Sequence, residues 1–144
     1  MIRLTRRYRF ASSHRLHAPS LGEAENREVF GKCNNPYGHG HNYIVEVTAC
    51  GPIEESTGRV VDVARLDALV AAQVVQPFDH RDLNSEVPEF RDLVPTSENL
   101  TAVIQARLNS RWKETFPREA VRLAHVRVFE TNRNIIDLPA EETR

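Results

Sequence analysis

The order in which hydrophobic periodicities follow one another is the feature that most restricts the fold of this chain. Apolar and polar residues alternate from Ile2 to His14 and again in NYIVEVTAC at residues 42–50. The same alternation returns near the C-terminus in residues 121–130 and 134–138, with a turn expected at residues 132–134. Alternation of this kind predicts strands with one buried face, so four strands are expected, two at each end of the chain.

Two helices are predicted between these pairs of strands. Residues 63–75 place apolar side chains at helical spacing, and we expect Pro77 to end this helix. The second helix begins at PTSEN, where Thr96 or Ser97 can cap the first turn. Its buried face is predicted to consist of Leu100, Val103, Ile104, Leu108 and Trp112.

This β-β-α-α-β-β order predicts an α+β fold, in which a four-stranded antiparallel sheet is covered on one face by two helices. The 144 residues fit a single domain, residues 1–144. A domain of that size buries roughly 68–70% of the surface that its unfolded chain exposes. Because the edges of such a sheet must be covered or paired with another chain, we expect a homo-oligomer.

Composition bears on the class of partner. Nineteen basic and twenty acidic residues give a formal net charge of -1, so the chain has no basic excess with which to hold a nucleic acid, and we expect no nucleic-acid partner. The longest apolar run is far shorter than a membrane span, and the N-terminus lacks the hydrophobic region of a signal peptide. We therefore expect no membrane partner and a cytoplasmic location, where Cys33 and Cys50 remain thiols.

The segment GKCNNPYGHGHNY, residues 31–43, predicts a zinc site. His39 and His41 are separated by one residue, so in an extended chain both imidazoles project from the same side and can share one ion. A catalytic zinc typically has three protein ligands and one open position, so a third donor must come from elsewhere in the chain.

The third ligand is predicted to be His14. It shares parity with Phe10 on the first strand, and an antiparallel neighbour can bring it beside the histidine pair. His17 is the next candidate because SHRLH could turn and present either ring. His80 is a further candidate, whereas His125 falls on the polar side of its strand and is expected at the surface.

Two other residues stand out near this segment. Cys33 could be a fourth ligand in a closed zinc site, an inert buried thiol, or an acid–base group beside the metal, and spacing alone does not decide between these roles. Glu130 shares parity with the apolar face of its strand, so its carboxylate needs partners. Those partners are either two adjacent N–H donors of an amino-pyrimidinone ring or an internal base such as Arg127 or Arg133.

Five segments taken together resemble the 6-pyruvoyl-tetrahydropterin synthase family: RFASSHRL, GKCNNPYGHGHNY, PFDHRDL, PTSEN and FETNRNI. The resemblance extends from Phe10 to about Leu138, and its most specific element is the Cys-x5-His-x-His spacing. It implies the tunnelling fold (T-fold), in which subunits pair edge to edge into a trimeric barrel. Two such barrels stack into a homohexamer, a dimer of trimers.

The resemblance also implies residue roles and a reaction. The zinc (Zn²⁺) ligands would be His14, His39 and His41. The catalytic thiol would be Cys33, with Asp79 and His80 completing the proton relay. The pterin ring would be anchored by Glu130, in a pocket lined by Thr96 and Ser97. The implied reaction converts 7,8-dihydroneopterin triphosphate to 6-pyruvoyl-tetrahydropterin and triphosphate, as in tetrahydrobiopterin biosynthesis.

Several alternatives remain open from the sequence. The sister enzyme of the queuosine route, 6-carboxy-tetrahydropterin synthase, resembles the chain less closely, because its cysteine usually lies nearer the histidine pair. A non-catalytic zinc-stabilised interaction module is the alternative from another class. Asp79 and His80 can act together only if the chain turns after Pro77 or if the relay completes across a subunit boundary. The cations available for the triphosphate are Arg15, Arg27, Lys32 and Arg81.

Overall fold

The computed structural model describes residues 1–140. Its strands are β1 (Ile2–His14), β2 (His39–Gly51), β3 (Arg81–Asp82), β4 (Arg122–Phe129) and β5 (Ile135–Pro139). Its α-helices are α1 (Glu23–Phe30), α2 (Val63–Val70), α3 (Gln76–Phe78), α4 (Leu83–Glu86) and α5 (Ser97–Thr115). Short 3-10 turns cover Gly31–Asn34 and Pro88–Arg91, and a π turn over Ala71–Val75 joins α2 to α3.

The sheet has the strand order β3-β1-β2-β4-β5. Strands β1, β2, β4 and β5 pair antiparallel in turn, which confirms the predicted four-stranded antiparallel sheet and the α+β class. The addition is β3, whose two residues pair parallel with Ser12 and Ser13 at the outer edge of β1. A strand of two residues is too short to show alternation, which is why the sequence did not predict it.

Helix α5 has the predicted start and the predicted buried face. Thr96 is its N-cap residue, and the Thr96 side-chain hydroxyl accepts a hydrogen bond from the backbone N–H of Asn99 at 3.1 Å. All five predicted apolar residues of this helix are buried, and they belong to the same hydrophobic core as the apolar face of β2. This packing places the first turn of α5 next to the end of β4.

The helix that starts at Val63 extends to Phe78, so the prediction that it would end before Pro77 was wrong. The π turn widens the helix just before the proline. The carbonyl of Gln73, four residues before Pro77, accepts a hydrogen bond from Arg107 Nη1 at 3.2 Å. This arginine donor substitutes for the N–H that proline lacks, so the helix can continue for one more residue.

Helix α1 was not predicted from the sequence. Its one buried residue is Asn26, whose side chain accepts from the backbone N–H of Ala18 and donates to the carbonyls of Ala18, Leu21 and Gly22. An amide, and not an apolar stripe, therefore attaches this helix to the loop after β1. Among residues 1–140, no helix has both the length and the apolar character that crossing a bilayer requires.

Candidate metal centre

The pairing of β1 with β2 positions the histidines. His14 lies opposite His39, and Ser12 lies opposite His41, at the end of the sheet where β1 stops and β2 starts. Side chains of directly opposed residues share one face of the sheet, so these histidines lie on the same side as the buried Phe10 and Tyr43. The strand register therefore brings His14 to the histidine pair, as the parity of the sequence indicated.

His14, Cys33 and His41 form a cluster whose candidate ligand atoms all lie within 4.8 Å of one another. The Nε2 atoms of His14 and His41 are 3.0 Å apart, and Cys33 Sγ lies 3.8 Å from His41 Nε2. Two imidazole ligands of one tetrahedral zinc are roughly 3.3 Å apart, and an imidazole and a thiolate roughly 3.6 Å. The spacing and the donor types of the cluster therefore fit a metal ion.

The surroundings of His14 prepare it to bind a cation. His14 is fully buried, and its Nδ1 lies 2.8 Å from the carbonyl of Pro95, so Nδ1 carries the proton and donates. The lone pair is consequently on Nε2, the nitrogen that faces His41. Burial lowers the pKa of both His14 and His41, which keeps these imidazoles neutral and able to coordinate.

Cys33 reaches the cluster from the 3-10 turn that follows α1. Its carbonyl accepts a hydrogen bond from the backbone N–H of Leu16 at 2.7 Å, which ties this turn to the end of β1. Burial, with a contribution from the charge of Glu130, raises the pKa of the Cys33 thiol. A cation held by the neighbouring imidazoles would act in the opposite direction and favour the thiolate.

The other histidines occupy different positions. The His39 ring lies beside that of His41, with their centroids 4.7 Å apart, but its nitrogens lie outside the cluster, so its role as a ligand remains a prediction. His17 Nδ1 accepts from Asn34 Nδ2 at 3.2 Å in the loop after β1. His125 is partly exposed and lies 2.5 Å from Asp137, away from the cluster.

Glu130 lies at the end of β4, against the first turn of α5. Its Oε2 accepts a hydrogen bond from the Ser97 hydroxyl, and Asn134 Nδ2 lies 3.5 Å from its Oε1. Its negative charge raises the pKa of the Cys33 thiol and opposes the burial effect on His14. Arg127, one of the internal bases considered as its partner, instead pairs with Asp137 at 3.1 Å. The strand register places Glu130 on the same face of the sheet as Tyr43 and His41.

Asp79 and His80 are brought together by a turn after α3. His80 has a left-handed backbone conformation, with φ 57°, and its N–H donates to the carbonyl of Ala11 at 2.6 Å. Asp79 Oδ1 accepts from the N–H of the same alanine at 2.9 Å, and Asp79 Oδ2 lies 3.6 Å from His80 Nε2. Within residues 1–140, no hydrogen bond or ion pair joins this pair to the cluster around Cys33.

Some residues that shape the centre could not be found from the sequence. Pro95 contributes only its carbonyl, which any residue carries, so no pattern marks it. Asn34 is buried, and its Nδ2 donates to the carbonyl of Leu16 at 2.7 Å, which fastens the turn that carries Cys33. Its position directly after the cysteine was the one available signal.

Comparison with known proteins gives a consistent result. A profile of the family described as 6-pyruvoyl tetrahydropterin synthase matches residues 3–141. The 6-pyruvoyl tetrahydrobiopterin synthases of Poecilia reticulata and Homo sapiens are each 42% identical over 133 residues, which cover 92% of this chain and 86% and 88% of those proteins. The structure of 6-pyruvoyl tetrahydropterin synthase from Caenorhabditis elegans superposes with a TM-score of 0.87 at 36% identity, covering 97% of this chain and 96% of that one.

Proposed function

Because this chain belongs to the 6-pyruvoyl tetrahydropterin synthase family, we propose that it converts 7,8-dihydroneopterin triphosphate to 6-pyruvoyl-5,6,7,8-tetrahydropterin and triphosphate. The observation that carries this proposal is the convergence of His14, Cys33 and His41 within 4.8 Å. A metal and a thiol at one place can together support proton removal next to a hydroxyl, the metal by stabilising the developing negative charge and the thiolate by acting as the base. The enzyme would be a carbon–oxygen lyase acting on phosphates, in tetrahydrobiopterin-type biosynthesis.

We propose that the metal is Zn²⁺, held by His14, His39 and His41. The neutral, Nε2-basic imidazole of the buried His14 supports this donor set, since zinc readily binds neutral imidazole nitrogens. When bound, zinc would stabilise negative charge that develops on the side-chain oxygens of the substrate and so acidify the adjacent C–H bonds. His39 would reach the ion by a rotation of its exposed side chain.

Cys33 is proposed as the base that takes a proton from a carbon next to a substrate hydroxyl. Its sulfur lies 3.8 Å from His41 Nε2, so a substrate held at the metal would present its side-chain carbons to the thiolate. Because its raised pKa keeps the isolated thiol protonated, Cys33 would become an effective base only once the cation is present. This dependence would confine the reactive thiolate to the metal-loaded protein.

Asp79 and His80 are proposed to pass protons between Cys33 and solvent from a neighbouring subunit. Their position at the outer edge of β1, with no bond to the cluster of their own chain within residues 1–140, supports a relay across a subunit boundary. In the part of the chain that the structure describes, β5 and β3 are the outer strands of the sheet, and such edges support association edge to edge. We therefore propose a homohexamer built as a dimer of trimers. Each chain would form a single domain over residues 1–144. We also propose that the protein is located in the cytoplasm.

Glu130 is proposed to anchor the pterin ring, with Thr96 and Ser97 lining the ring pocket. The Ser97 hydroxyl donates to Glu130 Oε2, which orients the carboxylate. A carboxylate fixed in this way can accept two adjacent N–H groups of an amino-pyrimidinone ring. Thr96 holds this end of α5 in place by capping the helix.

The test is to incubate the purified, zinc-loaded protein with 7,8-dihydroneopterin triphosphate and to identify the products by mass spectrometry. The proposal predicts 6-pyruvoyl-tetrahydropterin, in which all side-chain carbons are retained, together with inorganic triphosphate. Release of acetaldehyde with a 6-carboxy product would establish the activity of the queuosine route instead. Absence of turnover, with four protein ligands around the zinc, would establish the non-catalytic module.

A further inference from the structure

Tyr43 is the last residue of the segment GKCNNPYGHGHNY and has no part in the roles proposed so far. It follows His41 by two residues on β2, so both side chains lie on the same face of the sheet. We propose that Tyr43 is a positioning residue of the metal centre, which holds the His14 imidazole with its Nε2 directed at the ion. The inference rests on the proposed function, because it takes His14 to be a ligand of zinc.

The ring of Tyr43 contacts both imidazoles of the cluster. Its centroid lies 5.5 Å from that of His41, with 63° between the ring planes, and 6.4 Å from that of His14, with 83° between the planes. Rings that meet edge to face at such distances attract one another. The same side chain therefore packs against two histidines whose Nε2 atoms are 3.0 Å apart.

The Tyr43 ring is itself held by the hydrophobic core. Only 1% of the residue is exposed, and its ring stacks on that of Phe10, the residue directly opposite on β1, with centroids 5.1 Å apart. Phe10 in turn meets the Phe78 ring edge-on at 5.6 Å. Because close-packed interiors leave little room for a ring to shift, the Tyr43 hydroxyl is presented at a fixed place.

The hydroxyl of Tyr43 lies 3.3 Å from His14 Nδ1, and the carbonyl of Pro95 lies 2.8 Å from the same nitrogen. The carbonyl can only accept, so Nδ1 carries the hydrogen. That one hydrogen is shared between two oxygens, as a main bond to Pro95 and a longer one to Tyr43. Both oxygens favour the tautomer that leaves the lone pair on Nε2, where the ion would bind.

Tyr43 adds a second direction of restraint to that of Pro95. Pro95 precedes the first turn of α5, whereas Tyr43 belongs to β2, so the two oxygens hold the imidazole from different elements of the fold. A single hydrogen bond leaves an imidazole free to turn within the angular tolerance of that bond, and a second acceptor narrows this range. Loss of an outer partner of a metal-binding histidine typically weakens metal binding by about 10–100-fold. Because Pro95 remains in place, we expect the lower figure for the Tyr43 hydroxyl.

The experiment titrates the zinc-loaded full-length protein with a chromophoric chelator at neutral pH and compares two variants that each lack one hydroxyl. Tyr43→Phe keeps the ring that stacks on Phe10, and its zinc affinity is expected to fall about tenfold. Tyr8→Phe is the matched control. It removes a hydroxyl that donates to Asp67 at 2.7 Å, and Tyr8 lies six residues along β1 from His14, or about 20 Å away, so its zinc affinity should equal that of the wild type.

Urea denaturation with zinc in large excess separates positioning from a general loss of stability. Each variant loses a hydrogen bond, so both should unfold at lower urea concentrations than the wild type, whereas only Tyr43→Phe should bind zinc more weakly. Unchanged zinc affinity in Tyr43→Phe, or an equal loss in both variants, overturns the positioning role even if the pyruvoyl product forms. A loss of affinity confined to Tyr43→Phe, in a protein without turnover, supports the role and contradicts the proposed function.

Discussion

Arg107 is predicted to be a principal stabilising residue of the segment that leads to the Asp79–His80 pair. Its guanidinium forms a bidentate ion pair with Glu89, with Nε–Oε2 and Nη2–Oε1 distances of 2.5 and 2.7 Å. It also donates to the carbonyl of Gln73 at 3.2 Å and lies 4.8 Å above the Phe78 ring. Arg107→Ala removes all three interactions, whereas Glu89→Ala removes only the ion pair.

The expected cost of each substitution follows from these contacts. The ion pair is partly exposed, so its loss in Glu89→Ala should lower the free energy of unfolding by about 1 kcal/mol or less. Arg107→Ala additionally leaves the Gln73 carbonyl without its donor, at about 1 kcal/mol, and removes the contact with the Phe78 ring, at about 0.5–1 kcal/mol. The total for Arg107→Ala should therefore be about 2–3 kcal/mol.

Urea denaturation of both variants at neutral pH measures this difference, provided the m-value is unchanged. Equal destabilisation by Arg107→Ala and Glu89→Ala would refute the reasoning, because it would mean that the Gln73 and Phe78 contacts contribute nothing.

The ion pair between Arg107 and Glu89 also predicts a pH dependence of stability. The hydrogen bond that Glu89 accepts from Arg107 holds the pKa of the Glu89 carboxyl below the usual 4.5 in the folded protein. The ion pair therefore stabilises the fold fully above pH 4.5, and this contribution is lost as the pH falls through the lower pKa of Glu89 in the folded state.

The remaining predictions concern the proposed active site. Cys33→Ala should keep the metal and lose about 10²-fold or more in kcat, because a positioned base contributes roughly 10²–10⁴-fold; near-full turnover would contradict the role of Cys33. Chelation should abolish turnover but leave cooperative thermal unfolding in place, because the apolar core lies between the sheet and the helices; unfolding on chelation would indicate a structural metal. Metal affinity, measured by competition with a chromophoric chelator, should fall once the pH is well below 6.5, because protons then compete for His14 and His41, whose pKa values burial lowers. Above pH 6.5 the affinity of the wild-type protein should rise with pH more steeply than that of Cys33→Ala, because a cation that favours the Cys33 thiolate releases the thiol proton on binding; equal pH dependence of the two proteins would contradict this coupling.

The sheet and the second long helix could be predicted from the sequence because their signals are long and local. The alternation from Ile2 to His14 matches β1 residue for residue, and the cap at Thr96 marks the start of α5. Helix α1 gave no such signal, since a single buried amide, Asn26, holds it through contacts with the preceding loop. Segments stabilised by tertiary contacts of one polar side chain have no periodicity to detect.

The candidate centre was predictable to the extent that strand parity determines which side chains share a face. Parity placed His14 beside the histidine pair and directed Glu130 toward the buried side of the sheet. The proximity of Cys33 depends on a 3-10 turn after an unpredicted helix, and the turn at His80 depends on a backbone conformation that the sequence PFDHRDL does not indicate. Whether His39 or Cys33 joins the other two histidines depends on side-chain rotamers, which residue spacing does not encode.

The left-handed backbone of His80 lowers the stability of the fold at a residue whose imidazole is proposed to carry protons. A residue with a Cβ atom pays about 1–2 kcal/mol for this conformation, and glycine would relieve that strain. Glycine, however, cannot carry a proton. Exchange of His80 for glycine is therefore expected to raise the free energy of unfolding by about 1 kcal/mol while it removes the imidazole that the proposed proton relay uses.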